Sequence, residues 1–237
     1  MGVYVYAIVA QDHPVRLDGL NGVGEPPAEL RTLASGPLKA VVSDAPAELR
    51  AKRRDLAAHH GVLERLMADG AVLPMRFGLV AEDEPSVASA LAENADGYTG
   101  QLQRVDGCVE YNLKVSRDED GLLREIVGES EEIRQLNERT RQNPTAHDDR
   151  IALGELVTRE VERRKGDEAV ALVERVAPAA VLHAETPPVE QDFLNASFLV
   201  ERARAGEFTE TVRAEAARRG DEYEVKLHGP LPPYSFV

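Results

Sequence analysis

Both alternating sets of positions in the opening segment Val3–Val9 are apolar: Val3, Val5, Ala7 and Val9 on one, Tyr4, Tyr6 and Ile8 on the other. Such a pattern predicts a strand covered on both faces. Residues 11–36 are rich in Gly, Pro and Asp and read as a loop, with one short helix near 27–33. Leu38–Ser43 reads as a second strand. Residues 47–68 show helical spacing through Leu49, Leu56, Leu63 and Met67, with Gly70 as the terminator. Val72–Val80 reads as a strand in which Pro74 sits at the start or on an edge, because proline cannot donate to a ladder. Pro85–Val105 predicts one amphipathic helix, with Val87, Leu91, Tyr98, Leu102 and Val105 on its apolar face and proline in its first turn.

A new pattern begins after Asp106-Gly107. Val109, Tyr111, Leu113 and Val115 alternate with Glu110, Asn112, Lys114 and Ser116, which predicts a strand buried on one face. Two long helical stretches follow, 120–141 and 148–176, with Asn143-Pro144 between them. The polar run Glu162–Glu168, which contains Gly166, suggests a kink or an exposed turn of helix there. Val181–Glu185 and Leu194–Val200 read as strands, Phe208, Val212 and Ala216 mark a short helix, and Tyr223–His228 reads as a last strand. The expected outer strands are Val181–Glu185 and Tyr223–His228. The fold class is therefore α+β in two domains, 1–106 and 107–237. The order in the second is the β-α-β-β-α-β of ferredoxin-like folds, with its first crossover enlarged into a helical pair.

Charge and composition narrow the function classes. Lys and Arg number 28 against 42 Asp and Glu, a net charge of −14, which argues against a general nucleic-acid binder. The single cysteine, Cys108, excludes an internal disulfide and any multi-cysteine metal site. No apolar run approaches the roughly 20 residues of a membrane span, and the reading is a cytoplasmic protein. The chain lacks a Ser nucleophile elbow, a phosphate loop and a dinucleotide fingerprint. His59-His60 are adjacent on a helix and point about 100° apart, so they read as packed or surface histidines and not as a metal pair. Lys52-Arg53-Arg54 and the carboxylates Glu129, Glu131 and Glu132 read as solvated faces. These readings give no catalytic residue, no metal and no cofactor.

Two segments stand apart because they mix polar groups with structure breakers. One is Val72–Gly78, where Arg76 and Phe77 lie in an irregular stretch between Pro74 and Gly78. The other is Gly229–Val237, where Pro230, Pro232 and Pro233 impose extended geometry on a tail carrying Tyr234 and Phe236. The aromatic residues predict a docked tail, lodged in a groove between the domains. These seven residues are the candidate interaction or structural-motif positions.

The segments Val3–Val9, His59 with Val62-Leu63, Val72–Gly78, Val109–Val115, Asn195–Val200 and Gly229–Val237 resemble the gas vesicle protein F/L family (GvpF/GvpL), in order and over nearly the whole chain. The resemblance implies a minor, non-catalytic protein needed to build gas vesicles, associated with them in the cytoplasm. Its implied partners are the small, hydrophobic shell subunit and other minor vesicle proteins, with no nucleic acid and no membrane. It also implies two α+β domains, the second ferredoxin-like. The competing reading is a small-ligand-binding regulator or enzyme on a ferredoxin-like domain.

Overall fold

The structure, a computed structural model, describes residues 2–143, 145–189 and 191–237. It is α+β, and the chain divides into two compact units. The first comprises the residues up to Tyr111, with Leu199–Ala203 and Gly229–Val237; the second comprises Asn112–Phe198 and Arg204–His228.

The first unit is built on strand β1 (Val3–Ala10), of which every residue but the last is buried. It pairs antiparallel with β3 (Leu38–Asp44), and β3 pairs with β2 (Arg31–Ser35). On its other side β1 meets two short strands, β4 (Leu73–Pro74) and β5 (Val80–Ala81). The sheet order is β2-β3-β1-β4, with β5 also on β1. A bulge interrupts β1: Val5 pairs with Val42 but Ala7 pairs with Val41, so Tyr6 is an extra residue. The bulge switches the parity of the strand. Val3, Val5 and Ile8 therefore share one core with Leu38, Ala40 and Val42, although the sequence pattern put Ile8 on the opposite face. Helices α2 (Glu84–Glu93) and α3 (Ala95–Val105) contribute Val87, Leu91, Leu102 and Val105 to that core. Helix α1 (Arg53–Asp69) packs its His59 against Tyr4 and Tyr6.

Several expectations are corrected here. The segment expected to hold a short helix near 27–33 contains β2 instead, an edge strand whose Arg31 pairs with Asp44 and Glu84. Its sequence, RTLAS, has only one large apolar residue, because it needs only one. Helix α1 starts at Arg53, six residues after the expected Ala47, and its buried face is Asp55, His59, Val62, Leu63, Leu66 and Met67. Leu56 points outward at 43% exposure. Polar residues on the inner face misled the hydrophobic pattern. The expected strand Val72–Val80 is two short strands separated by a turn. The expected helix 85–105 breaks at Asn94, whose side-chain amide donates to the Ala90 carbonyl and so ends α2. Asp83 caps the start of α2 by accepting from the Ser86 N–H at 2.8 Å.

The second sheet contains β6 (Cys108–Arg117), β7 (Leu182–Glu185), β8 (Asp192–Glu201) and β9 (Tyr223–Leu231), in the order β7-β8-β6-β9. Thus β7 and β9 are the outer strands, as the sequence order suggests. Helices α4 (Glu119–Glu129), α5 (Glu131–Gln142), α6 (His147–Val176) and α7 (Ala205–Arg219) belong to the second unit, as does the greater part of this sheet. Leu122, Ile126 and Ile133 form a small core with Leu153, Leu156, Val157 and Val161. The stretch expected as one helix over 120–141 divides at Ser130, whose side chain accepts from the Ile133 N–H and caps α5. Helix α6 runs through Gly166 without a break and is exposed at Glu162, Arg163, Gly166 and Asp167, so the polar run is an exposed turn of helix, with Arg163 bonded to Glu160 and Asp167. Arg117, with a side chain only 5% exposed, meets Glu125 at 2.6 Å and Glu168 at 2.7 Å. The guanidinium carbons of Arg117 and Arg219 lie over the Tyr223 ring, 5.1 and 5.3 Å from its centroid.

Strand β9 extends to Leu231 and so takes up the first residues of the segment expected as a tail. Gly229 sits there at φ 152°, and a Cβ at this position meets the Tyr111 ring and comes 2.9 Å from the Glu110 carbonyl. Gly229→Ala is expected to cost about 1–3 kcal/mol. Gly166→Ala, at an open position of α6, is expected to gain up to about 1 kcal/mol. Thermal and urea unfolding of the two variants against the parent checks both signs.

Candidate functional site

In the first unit, a layer of aromatic and hydroxyl groups fills the space between β1 and α1. Tyr4, Tyr6 and His59 are buried, with Tyr4 and Tyr6 fully inaccessible. The His59 ring stacks on Tyr6 at 5.6 Å and meets Tyr4 and Phe77 edge-on at 5.7 Å each. Hydrogen bonds fix the imidazole. Its Nε2 lies 3.1 Å from the Met75 carbonyl, which can only accept, so Nε2 carries the proton. Nδ1 is then an acceptor, and the Tyr4 hydroxyl donates to it at 2.9 Å. The Tyr4 oxygen accepts in turn from the Gly78 N–H at 3.2 Å. Tyr6 is tied similarly: its hydroxyl accepts from the Val23 N–H at 2.8 Å and lies 2.9 Å from the Ser43 hydroxyl. Burial lowers the His59 pKa from 6.5 to about 4, so the ring is neutral near pH 7. Burial also raises the Tyr4 phenol.

This layer positions the segment Val72–Gly78. Met75 N–H donates to the Tyr6 carbonyl at 2.9 Å, and Val5 N–H donates to the Leu79 carbonyl at 3.0 Å. Between these anchors the chain turns, with Leu79 N–H donating to the Arg76 carbonyl at 3.2 Å and Gly78 at φ 97°. Glycine suits that left-handed position. Phe77 is directed onto Tyr4 and His59. Arg76 and Leu79 are exposed. Arg76 forms no ion pair among the described residues.

The C-terminal segment is anchored in the same unit. The Tyr234 hydroxyl lies 3.3 Å from His59 Nε2, where it is a second acceptor for that proton. Ser235 donates to Glu110 twice, from its N–H at 2.9 Å and its hydroxyl at 2.7 Å. Pro232 and Pro233 are buried, Phe236 packs against the β1–β3 core, and Pro230 is exposed. Burial and the Glu110 charge push the Tyr234 pKa up to about 12. The tail is docked, on partners belonging to its own unit.

The seven sequence candidates thus part company. Phe77 and Tyr234 meet at His59; Pro232, Pro233 and Phe236 are packing groups; Arg76 and Pro230 face outward. Sequence reasoning missed Tyr4, Tyr6, Ser43 and Glu110. The two tyrosines read as plain core residues, and Glu110 read as the polar face of β6, yet it is 4% exposed. The tail's Ser235 explains that burial, and only tertiary structure reveals it. His59 is a packed histidine; His60 is on the surface, 3.3 Å from Glu64. Cys108 is buried, and burial raises its thiol pKa. Among the described residues no group of three or more His, Cys, Asp or Glu is placed to hold a metal ion. No described helix is long and apolar enough to cross a membrane.

An α+β protein whose buried polar groups hold backbone segments in place is a class defined by packing, and sequence comparison gives it a family. Residues 2–237 match the family described as gas vesicle synthesis protein GvpL/GvpF, and the chain belongs to that family. It is 40% identical to gas vesicle protein F of Streptomyces sp. (strain CB03234) over 100% of both chains. It is 30% identical to gas vesicle protein L of the same organism, over 99% of this chain and 92% of the relative. The fold matches that of the gas vesicle protein GvpF from Anabaena sp. PCC7120 with a TM-score of 0.87, at 22% identity and covering 99% and 97% of the two chains. The match to GvpF from Microcystis aeruginosa has a TM-score of 0.82, at 24% identity and covering 99% and 98%.

The neutral His59 generates a pH dependence. The unfolded chain takes up a proton near pH 6.5 while the folded chain resists until about pH 4. Stability from this group is therefore present above pH 6.5 and lost as pH falls toward 4, by on the order of 3 kcal/mol. His13, also lowered by burial, adds in the same direction. Urea unfolding at pH 7 and pH 5 is expected to show a smaller loss in His59→Gln than in the parent. An equal loss overturns the assignment of this slope to His59.

Proposed function

We propose that this chain is a non-catalytic accessory of gas-vesicle assembly, which binds the hydrophobic shell subunit in the cytoplasm and keeps it from polymerising early. The observation that carries the reading is membership of the GvpL/GvpF family over residues 2–237. The higher identity to the Streptomyces protein F than to its protein L supports an F-type role. The chemistry agrees. A shell-forming subunit carries apolar surface and unpaired strand edges before assembly, both aggregation hazards in water. A partner of net charge −14 keeps the complex soluble by repulsion between copies. The polar groups of the His59 layer are engaged in holding backbone and tail, which favours a binding protein over an enzyme. Other minor vesicle proteins are further partners in this reading.

The second sheet is proposed to be a ferredoxin-like variant. Numbered within that sheet, its strands lie in the order 2-3-1-4, which supports the assignment, with α4, α5 and α6 forming the enlarged first crossover.

Co-expression with the shell subunit tests the function. The soluble fraction of the shell subunit is expected to rise at least threefold, and the two proteins to co-purify. A shell subunit that stays insoluble and is not retained on the tagged chain overturns the reading.

A further inference from the structure

In the first unit, a groove of about 350 Å³ opens beside the Met75–Leu79 turn, lined by Met75, Arg76, Leu79 and the α3 residues Tyr98 and Gln101, with Tyr234 and Val237 of the tail. Leu79 is 46% exposed and Val237 36% exposed, so apolar surface faces solvent here. Arg76 is the one charged side chain lining this groove, and it is exposed with no ion-pair partner among the described residues. Its turn is held from beneath by the His59 bond to Met75 and the Tyr4 bond to Gly78. The guanidinium is therefore presented from a fixed piece of backbone.

We propose that this groove is the docking place of the shell subunit, and that it takes an apolar segment carrying one carboxylate, with the carboxylate paired to Arg76. This rests on the assembly reading above. Charge complementarity selects the occupant. A wholly apolar segment would cover Arg76 and leave a desolvated cation without a counter-ion, which is unfavourable. A segment that brings Asp or Glu converts that loss into a charge-assisted, two-pronged hydrogen bond. The pocket volume holds a few apolar side chains, so one short stretch of the partner fills it. Arg76 gives a partner's carboxylate a local cation in a chain whose net charge is −14.

The test uses the full chain, tagged and co-expressed with the shell subunit, with the co-purified subunit quantified. Arg76→Glu is expected to reduce it at least tenfold, and Leu79→Asp at least fivefold. Arg76→Lys, which keeps the charge, is expected to reduce it less than threefold. Arg104→Glu makes the same charge change at an exposed position of α3 outside the groove lining, and Leu182→Glu alters the exposed strand β7. Both are expected to bind as the parent does. Circular dichroism and thermal unfolding verify that each variant is folded. If the parent retains the subunit and folded Arg76→Glu and Leu79→Asp retain it equally, the groove is overturned while the assembly reading stands. If the subunit is lost equally with Arg104→Glu, the effect is general charge and the groove is again overturned. If the parent itself retains none, the assembly reading fails, and the docking proposal with it.

Discussion

A neutral imidazole holds the first unit's polar interior together. His59 can serve both Met75 and Tyr4 only with its proton on Nε2 and a lone pair on Nδ1. A second proton on Nδ1 would face the Tyr4 hydroxyl, which then needs another acceptor while it already receives the Gly78 N–H. Three segments distant in sequence, at residues 4, 59 and 75–78, are thus joined through one ring. The tail adds a fourth through Tyr234. Buried polar groups are worth most where all are satisfied, and the ring's bond to the Met75 carbonyl, with the Tyr4 bond to Gly78, fixes a stretch of backbone that is a turn and not a regular element.

That arrangement explains what the sequence could and could not reveal. Alternation and spacing identify β1, β3, β6 and α6 because each carries an apolar pattern over many residues. The same reasoning fails on α1, where Asp55 and His59 occupy the inner face and Leu56 the outer. Asp55 is buried because it receives the Gly24 N–H at 3.0 Å. It fails on β2, whose edge position needs little apolar surface. It divides no helix at Asn94 or Ser130, since a single polar residue is common inside helices and only the capping bonds mark the breaks. Arg76 and Phe77 could be singled out from Pro74 and Gly78 alone, but not their opposite directions. The docking of Tyr234 and Phe236 was legible as aromatic content in a proline-rich segment. The receptor for Ser235 was not, because Glu110 alternates with apolar residues as a surface group would.

The second unit gathers ion pairs around one ring, where the His59 layer of the first uses neutral hydrogen bonds. Arg117 and Arg219 both lie over the Tyr223 ring, and both meet Glu168. Breaking such a cluster by removing one member leaves the others desolvated and unmatched. Helices α4, α6 and α7 and strands β6 and β9 each supply a charge or the ring, which makes the cluster a register mark for the whole unit.

The bulge in β1 gives Tyr6 an unusual status. Without Tyr6 the strand would alternate regularly, and Val3, Val5 and Ile8 would still share a side. Toward β3 the residue is therefore a separable addition to the strand: the pairing with β3 is written by its neighbours and keeps its sense with Tyr6 or without it. What the extra residue supplies is a ring beneath His59, a hydroxyl oxygen for Val23 and a carbonyl for the Met75 N–H. An architecture of this kind can acquire or lose a polar anchor by a one-residue insertion or deletion, without turning its hydrophobic core inside out.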